Sequence, residues 1–192
     1  MRKIAREYIC CEWMNLLAAI LIVICKDNVV FERFFGGYKM KVREQMPELN
    51  GAAQWLNGKW TKADLVGEKP SIVHFWSLSC HLCKSAMPQL NQFRDKYSGK
   101  FNMLAVHIPR YKTDLDIEAI KKAAEEQGIT QPIFIDSEHI LAQSFENEYV
   151  PSYYVFDKDG ILRHYQAGSG SGKMEMLERR VKHILDEMLA VK

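Results

Sequence analysis

Ser71-Ile72-Val73-His74-Phe75-Trp76-Ser77-Leu78-Ser79-Cys80-His81-Leu82-Cys83-Lys84-Ser85-Ala86-Met87-Pro88 is the stretch on which the fold turns. Its first half is β-branched and aromatic, the composition of a buried strand. The second half places apolar Leu82, Ala86, Leu90 and Phe93 about one turn apart, the pattern of a helix. The two cysteines fall at the junction. Cys80 stands at the expected helix N-terminus, where unpaired backbone N–H groups and the macrodipole stabilise a thiolate. Cys83 lies one turn inside, within reach for a disulfide. The alternative is half of a zinc site, which needs two further ligands. The chain has no second CxxC and no HxxxH. A CxxC pair beside a βαβ pattern reads instead as a redox motif.

The block from His74 to Pro88 resembles the active-site block of the thioredoxin superfamily. It is most similar to the TlpA-like thiol-disulfide oxidoreductases of the redoxin family, whose block ends in Met-Pro, here Met87-Pro88. Downstream, Tyr149-Val150-Pro151-Ser152 resembles that family's cis-proline loop. The resemblance covers roughly residues 45 to 190. It implies an α/β, three-layer thioredoxin-like fold: a central mixed sheet of four or five strands flanked by helices, with an extra αβ insertion. It also implies an enzyme cycling a Cys80–Cys83 dithiol/disulfide on protein or small-molecule disulfides, with an unknown redox partner and no metal or organic cofactor.

The resemblance also assigns roles. Cys80 is the nucleophile, partly exposed at the helix start, and Cys83 the buried resolving thiol. His74 stands where thioredoxins carry a buried aspartate, either as proton acceptor for Cys83 or as a core histidine. Pro151, if cis, sets the Val150 backbone opposite the cysteines, where it can pair with an extended substrate. His81 adds positive charge beside Cys80 or is a solvated surface residue. Trp76 completes the candidate substrate side, with core packing as its alternative. Three departures bear on the potential and on proton transfer. Ser79 replaces a tryptophan, Leu82 replaces the proline between the cysteines, and Ala86 replaces a glutamate. A thiol peroxidase is the rival enzyme, with Ser77 as its hydroxyl but Val73 where a proline is wanted. A redox sensor or binding module, and less readily a metallochaperone, are the rivals of another class.

Composition is that of a globular chain, 47% hydrophobic and 26% charged. Residues 1–39 hold six of the 26 Lys/Arg and four of the 24 Asp/Glu, so residues 40–192 carry 20 of each. Such a domain offers no basic field to nucleic acid. A monomer is expected. Cys10, Cys11 and Cys25 lie in the N-terminal segment, so the domain has no structural disulfide framework.

Two units follow: a hydrophobic N-terminal segment, 1–39, and a thioredoxin-like domain, 40–192. Trp13 to Cys25 is apolar except for Asn15, behind Arg2, Lys3 and Arg6, which suits a signal-anchor. That run is short for a span, and Glu12 would be costly inside a membrane. In the other reading, translation starts at Met40 and Gly36-Gly37 is a bacterial ribosome-binding site read as protein. The domain is then cytoplasmic; with an anchor it faces the extracytoplasmic side. A buried helix is the third reading.

Within the domain, Trp55 to Trp60 is expected as a hairpin turning at Asn57-Gly58. Strands are expected at 71–77, 101–108 and 132–136, and a hairpin of 153–157 and 161–167. Helices are expected at 81–97, from Thr113 or Asp114 to Gln127, from a Ser137 cap to Glu146, and along the amphipathic C-terminus.

Overall fold

The computed structural model describes residues 40–190. The expectations for residues 1–39 lie outside the described residues. β1 (Gln54–Leu56), α1 (Lys62–Leu65), β2 (Ser71–Trp76), α2 (His81–Lys96) and β3 (Asn102–His107) come first. A 3₁₀ turn (Lys112–Leu115), α3 (Ile117–Glu126), β4 (Ile133–Ile135) and α4 (Ile140–Ser144) follow. β5 (Ser152–Phe156), β6 (Leu162–Ala167) and α5 (Ser171–Ala190) close the chain.

The six strands form one mixed sheet in the order β1-β4-β3-β2-β5-β6. β2, β3 and β4 run parallel, while β1, β5 and β6 are antiparallel to their neighbours. β2 is buried at every residue. Its side chains alternate between faces, so each face receives three of them. Ile72 and Trp76 enter one apolar cluster, with Met87, Leu90 and Phe93 of α2, Ile120 of α3 and Leu177 and Val181 of α5. Val73 and Phe75 enter the other, with Leu65 of α1, Leu141 of α4 and Phe145 just after it. Helices therefore cover both faces, and each large side chain so buried contributes about 1.5–3 kcal/mol. α3 and β4 are the inserted αβ unit, and β4 extends the sheet beside β3. No helix among the described residues is long and apolar enough to cross a membrane.

Several local expectations are corrected. The sheet has six strands, because Gln54–Leu56 pairs with β4 across the sheet instead of folding back on Trp60. Asn57 ends that strand at positive φ, and its amide donates to the carbonyls of Ile129 and Gln131. α3 is capped by Asp116, whose carboxylate accepts from the N–H groups of Glu118 and Ala119. Asp114 points elsewhere. The N–H groups of Leu141 and Ala142 in α4 donate to Asp136, not to Ser137. Leu82 is 55% exposed, while Cys83, Ala86 and Met87 take the inward positions at that end of α2.

Two histidines lie inside this sheet. His74 of β2 is opposite Tyr153 of β5, and the rings stack with centroids 5.3 Å apart. Trp76 is opposite His107 of β3, ring edge to face at 5.0 Å. Burial pushes His74 down to about 3. It pushes His107 down to about 4, against an opposing pull from the Asp114 charge. Both are neutral near pH 7.

A histidine held below its ordinary value binds its proton in the unfolded chain first, so stability falls as the medium acidifies. Between about pH 6.5 and pH 4, the two sites together should remove up to about 3 kcal/mol of unfolding free energy per pH unit. His74→Leu should remove about half of that slope. Urea titrations at pH 7, 6 and 5 measure it, and equal slopes in the two proteins would show that His74 is not the group held neutral.

Candidate active site

β2 ends at Trp76, and the chain turns through Ser77, Leu78 and Ser79 into Cys80, the N-cap of α2. The Cys80 N–H donates to the Ser77 carbonyl at 3.1 Å, closing the turn. Cys80 and Cys83 are joined as a disulfide, with Cα atoms 5.3 Å apart. Cys80 Sγ accepts the Cys83 N–H at 3.1 Å. The donor is one of the N-terminal amides that the helix leaves unpaired, so a thiolate at Cys80 has a stabilising partner already in place.

The second wall of the site is the loop before β5. The Val150–Pro151 peptide is cis, and the Val150 carbonyl oxygen lies 3.7 Å from Cys80 Sγ. Asn147 holds this loop. Its side-chain oxygen accepts from the Ser152 hydroxyl at 2.5 Å and the Tyr154 hydroxyl at 3.2 Å, and its amide donates to the Tyr149 carbonyl. Between the walls is an open cleft of about 470 Å³, lined by Ser79, Cys80, His81 and Leu82 on one side and by Tyr149 and Val150 on the other.

The expected site residues divide into three sets. Cys80, His81 and Val150 meet at the cleft, and Pro151, buried, follows Val150 through the cis bond. Cys83 and His74 lie beneath it, on the sheet face that also carries Ile72 and Trp76. Trp76 is corrected as a substrate contact: it is fully buried against His107, so no client can touch it. Cys80 is corrected as a partly exposed residue: it is 2% exposed in the disulfide form, sealed by the bond to Cys83 and by Val150. Leu82, in the place of the usual proline, stands out at the rim.

Four buried polar atoms on this sheet face have no hydrogen-bond partner: His74 Nδ1, Tyr153 OH, Trp76 Nε1 and His107 Nδ1. Such orphans are rare and invite a functional account. The Leu78 N–H donates to His107 Nε2 at 3.1 Å, which fixes that nitrogen as the unprotonated one. Among the described residues no group of three His, Cys, Asp or Glu can hold a metal ion.

Sequence reasoning missed Asp114. It is 1% exposed, in the 3₁₀ turn after β3. Its Oδ2 accepts from Ser77 Oγ at 3.0 Å, Ser79 Oγ at 2.7 Å, Arg110 N at 2.9 Å and Tyr111 N at 3.3 Å. Burial works against its ionisation, but these hydrogen bonds outweigh burial and hold the carboxyl below the ordinary aspartate range. The Ser77 hydroxyl is thus committed to Asp114, not offered to Cys80 as the peroxidase reading needs. Two serines flanking Leu78 before the cysteine were a signal that an acceptor was required. Nothing in the spacing showed where it lay.

The AhpC/TSA family profile matches residues 42–165. The chain is 62% identical over 148 residues to Thiol-disulfide oxidoreductase YkuV of Bacillus subtilis (strain 168), covering 77% of this chain and 99% of that protein. It is 27% identical over 117 residues to Thiol-disulfide oxidoreductase ResA of Geobacillus kaustophilus (strain HTA426), covering 60% of this chain and 63% of that one. A solution structure of a thioredoxin-like protein in the oxidized form, 62% identical, superposes with a TM-score of 0.71 over 77% of this chain and 99% of that chain. With a family match over more than half its length and a relative of this identity, the chain belongs to the AhpC/TSA family, with a thioredoxin-like fold.

Proposed function

We propose that Cys80 and Cys83 divide the work of a thiol–disulfide oxidoreductase between them. The enzyme is a thiol–disulfide oxidoreductase of the redoxin family that passes two electrons between its Cys80–Cys83 pair and client disulfides. One observation carries the assignment: the pair is closed at a helix N-terminus, and Cys80 Sγ accepts the N–H of Cys83, the third residue of that helix. In the reducing direction the Cys80 thiolate attacks a client disulfide, and one client sulfur leaves as thiolate. Cys83 then attacks Cys80 of the mixed disulfide, the second client sulfur leaves, and the Cys80–Cys83 bond forms. Oxidation of a client dithiol is the reverse sequence. The Val150 backbone supports the client, an extended disulfide-bearing polypeptide, through main-chain hydrogen bonds.

His74 receives the Cys83 proton. The support is its stacking on Tyr153, which shares an apolar cluster with Cys80 and Cys83, and the unpartnered Nδ1. Held down to about 3, it is a weak base while the disulfide is closed. Its basicity rises only when a Cys83 thiolate shares the same low-dielectric pocket. The titration near neutrality expected of an ordinary imidazole is therefore replaced by one that follows the state of Cys83.

Residues 40–192 carry this activity by themselves. In support, the family match opens at residue 42 and every site residue named here lies beyond it. Translation from Met40 gives a cytoplasmic enzyme. Peptides from residues 1–39 recovered from a native membrane fraction would replace that reading with an anchored enzyme facing outward.

Three outcomes test the assignments. Cys83→Ser should accumulate mixed disulfides with clients on non-reducing gels, and Cys80→Ser should not; the reverse pattern would exchange the two roles. His74→Ala should lengthen the life of a mixed disulfide more than it slows the first attack, by about 100-fold or more for loss of a positioned proton acceptor. Stopped-flow measurement of both steps decides it. Purified residues 40–192 should fold cooperatively and reduce insulin as the full chain does, and an inactive fragment would reject self-sufficiency.

A further inference from the structure

Ser77, Leu78 and Ser79 hold Cys80 in register, and their fastenings come from outside β2 and α2. The Leu78 N–H donates to His107 of β3. Both serine hydroxyls donate to one oxygen of Asp114, which lies 34 residues beyond Cys80 in the segment leading to the inserted αβ unit. The same oxygen gathers the N–H groups of Arg110 and Tyr111, so the 3₁₀ turn and the active-site turn share one anchor. Four donors on one carboxylate oxygen, at 1% exposure, make a fixed negative charge, and burial leaves little solvent to screen it.

We propose that Asp114 is a positioning residue for thiol–disulfide exchange, its ionised carboxylate fixing the Ser77–Ser79 turn and placing behind Cys80 a negative charge that disfavours the thiolate. The helix N-terminus favours that thiolate; Asp114, hydrogen-bonded to the residue before Cys80, opposes it. The remaining ionisable groups around Cys80 are His81 and Lys84 on its own helix, Arg110 after β3, and His139, Glu148 and Tyr149 across the cleft. All six are exposed or half-buried and more heavily screened than Asp114. His107 and His74 are buried and neutral. Asp114 is therefore the one deeply buried charge named here that Cys80 meets through its own turn.

The consequence concerns the potential. Reduction breaks the Cys80–Cys83 bond, takes two electrons from a dithiol donor and leaves Cys80 as thiol or thiolate. A charge that destabilises the thiolate destabilises the reduced form and makes the pair a weaker oxidant. Asp114 thus tempers an oxidising tendency that the helix N-terminus and His81 would otherwise give.

The test uses the full chain and two variants chosen to move in opposite directions. Asp114→Asn removes the charge and keeps an acceptor. Ser77→Ala/Ser79→Ala leaves the carboxylate its two backbone donors, the N–H groups of Arg110 and Tyr111, and strips the two hydroxyls that compensate its charge. Alkylation rates of the reduced proteins against pH report the Cys80 titration, and equilibration with glutathione reports the potential. Asp114→Asn should lower the Cys80 pKa by about one unit, the scale of a lost like-charge neighbour. It should also raise the potential by about 30 mV, the tenfold equivalent for a two-electron couple. The double serine variant should shift both the other way. A role confined to holding the turn would move both variants in the same direction, and that result, or an unmoved Asp114→Asn, overturns the proposal. Should Asp114→Asn fail to fold, the serine variant decides alone: a fall in its Cys80 pKa refutes the charge. The inference rests on the exchange assigned to Cys80 and Cys83. A wild-type chain with no two-electron couple would overturn that assignment, whereas a normal wild-type couple with unmoved variants overturns only the part given to Asp114.

Discussion

β2 is hydrogen-bonded to β3 on one edge and β5 on the other, and its side chains are buried on both faces. That confinement fixes the position and direction of its last residue, Trp76. The chain leaves Trp76 at the end of the sheet where β3 also ends and β5 begins. Three connections meet there: the turn into α2, the segment after β3, and the cis-proline loop before β5. The first brings Cys80, the second Asp114 and the third Val150. None of these residues lies in β2, yet each is placed by the strands that flank it.

The chemistry of the site follows from unequal burial of charge. His74 and His107 lie on the sheet face under α2 and are neutral, because desolvation there disfavours imidazolium. Asp114 is as deeply buried but stays ionised, because four donors replace the water it has lost. Cys80 caps a helix whose N-terminus favours its anion, and the residue before it is hydrogen-bonded to a carboxylate that disfavours that anion. The stacked rings of His74 and Tyr153 each bury a polar atom without a hydrogen-bond partner.

Sequence alone determined most of the fold and the identity of the redox pair. Periodicity marked β2 and α2, because a strand buried on both faces and an amphipathic helix leave signatures readable within about a dozen residues. The cysteine spacing and the resemblance around Pro88 and Pro151 supplied the chemistry and its second wall. Local composition also suggested a hairpin at Asn57-Gly58 and a cap at Ser137. There the tertiary structure chose β4 as partner for Gln54–Leu56 and Asp136 as acceptor for α4, since pairing across a sheet outweighs a turn preference. Exposure of Leu82, burial of Cys80 and Trp76, and the convergence of Ser77 and Ser79 on Asp114 were decided only by the folded chain. Each depends on side chains distant in sequence meeting at the end of the sheet. A hydroxyl's residue type shows that it needs a partner; only packing and topology determine which carboxylate provides it.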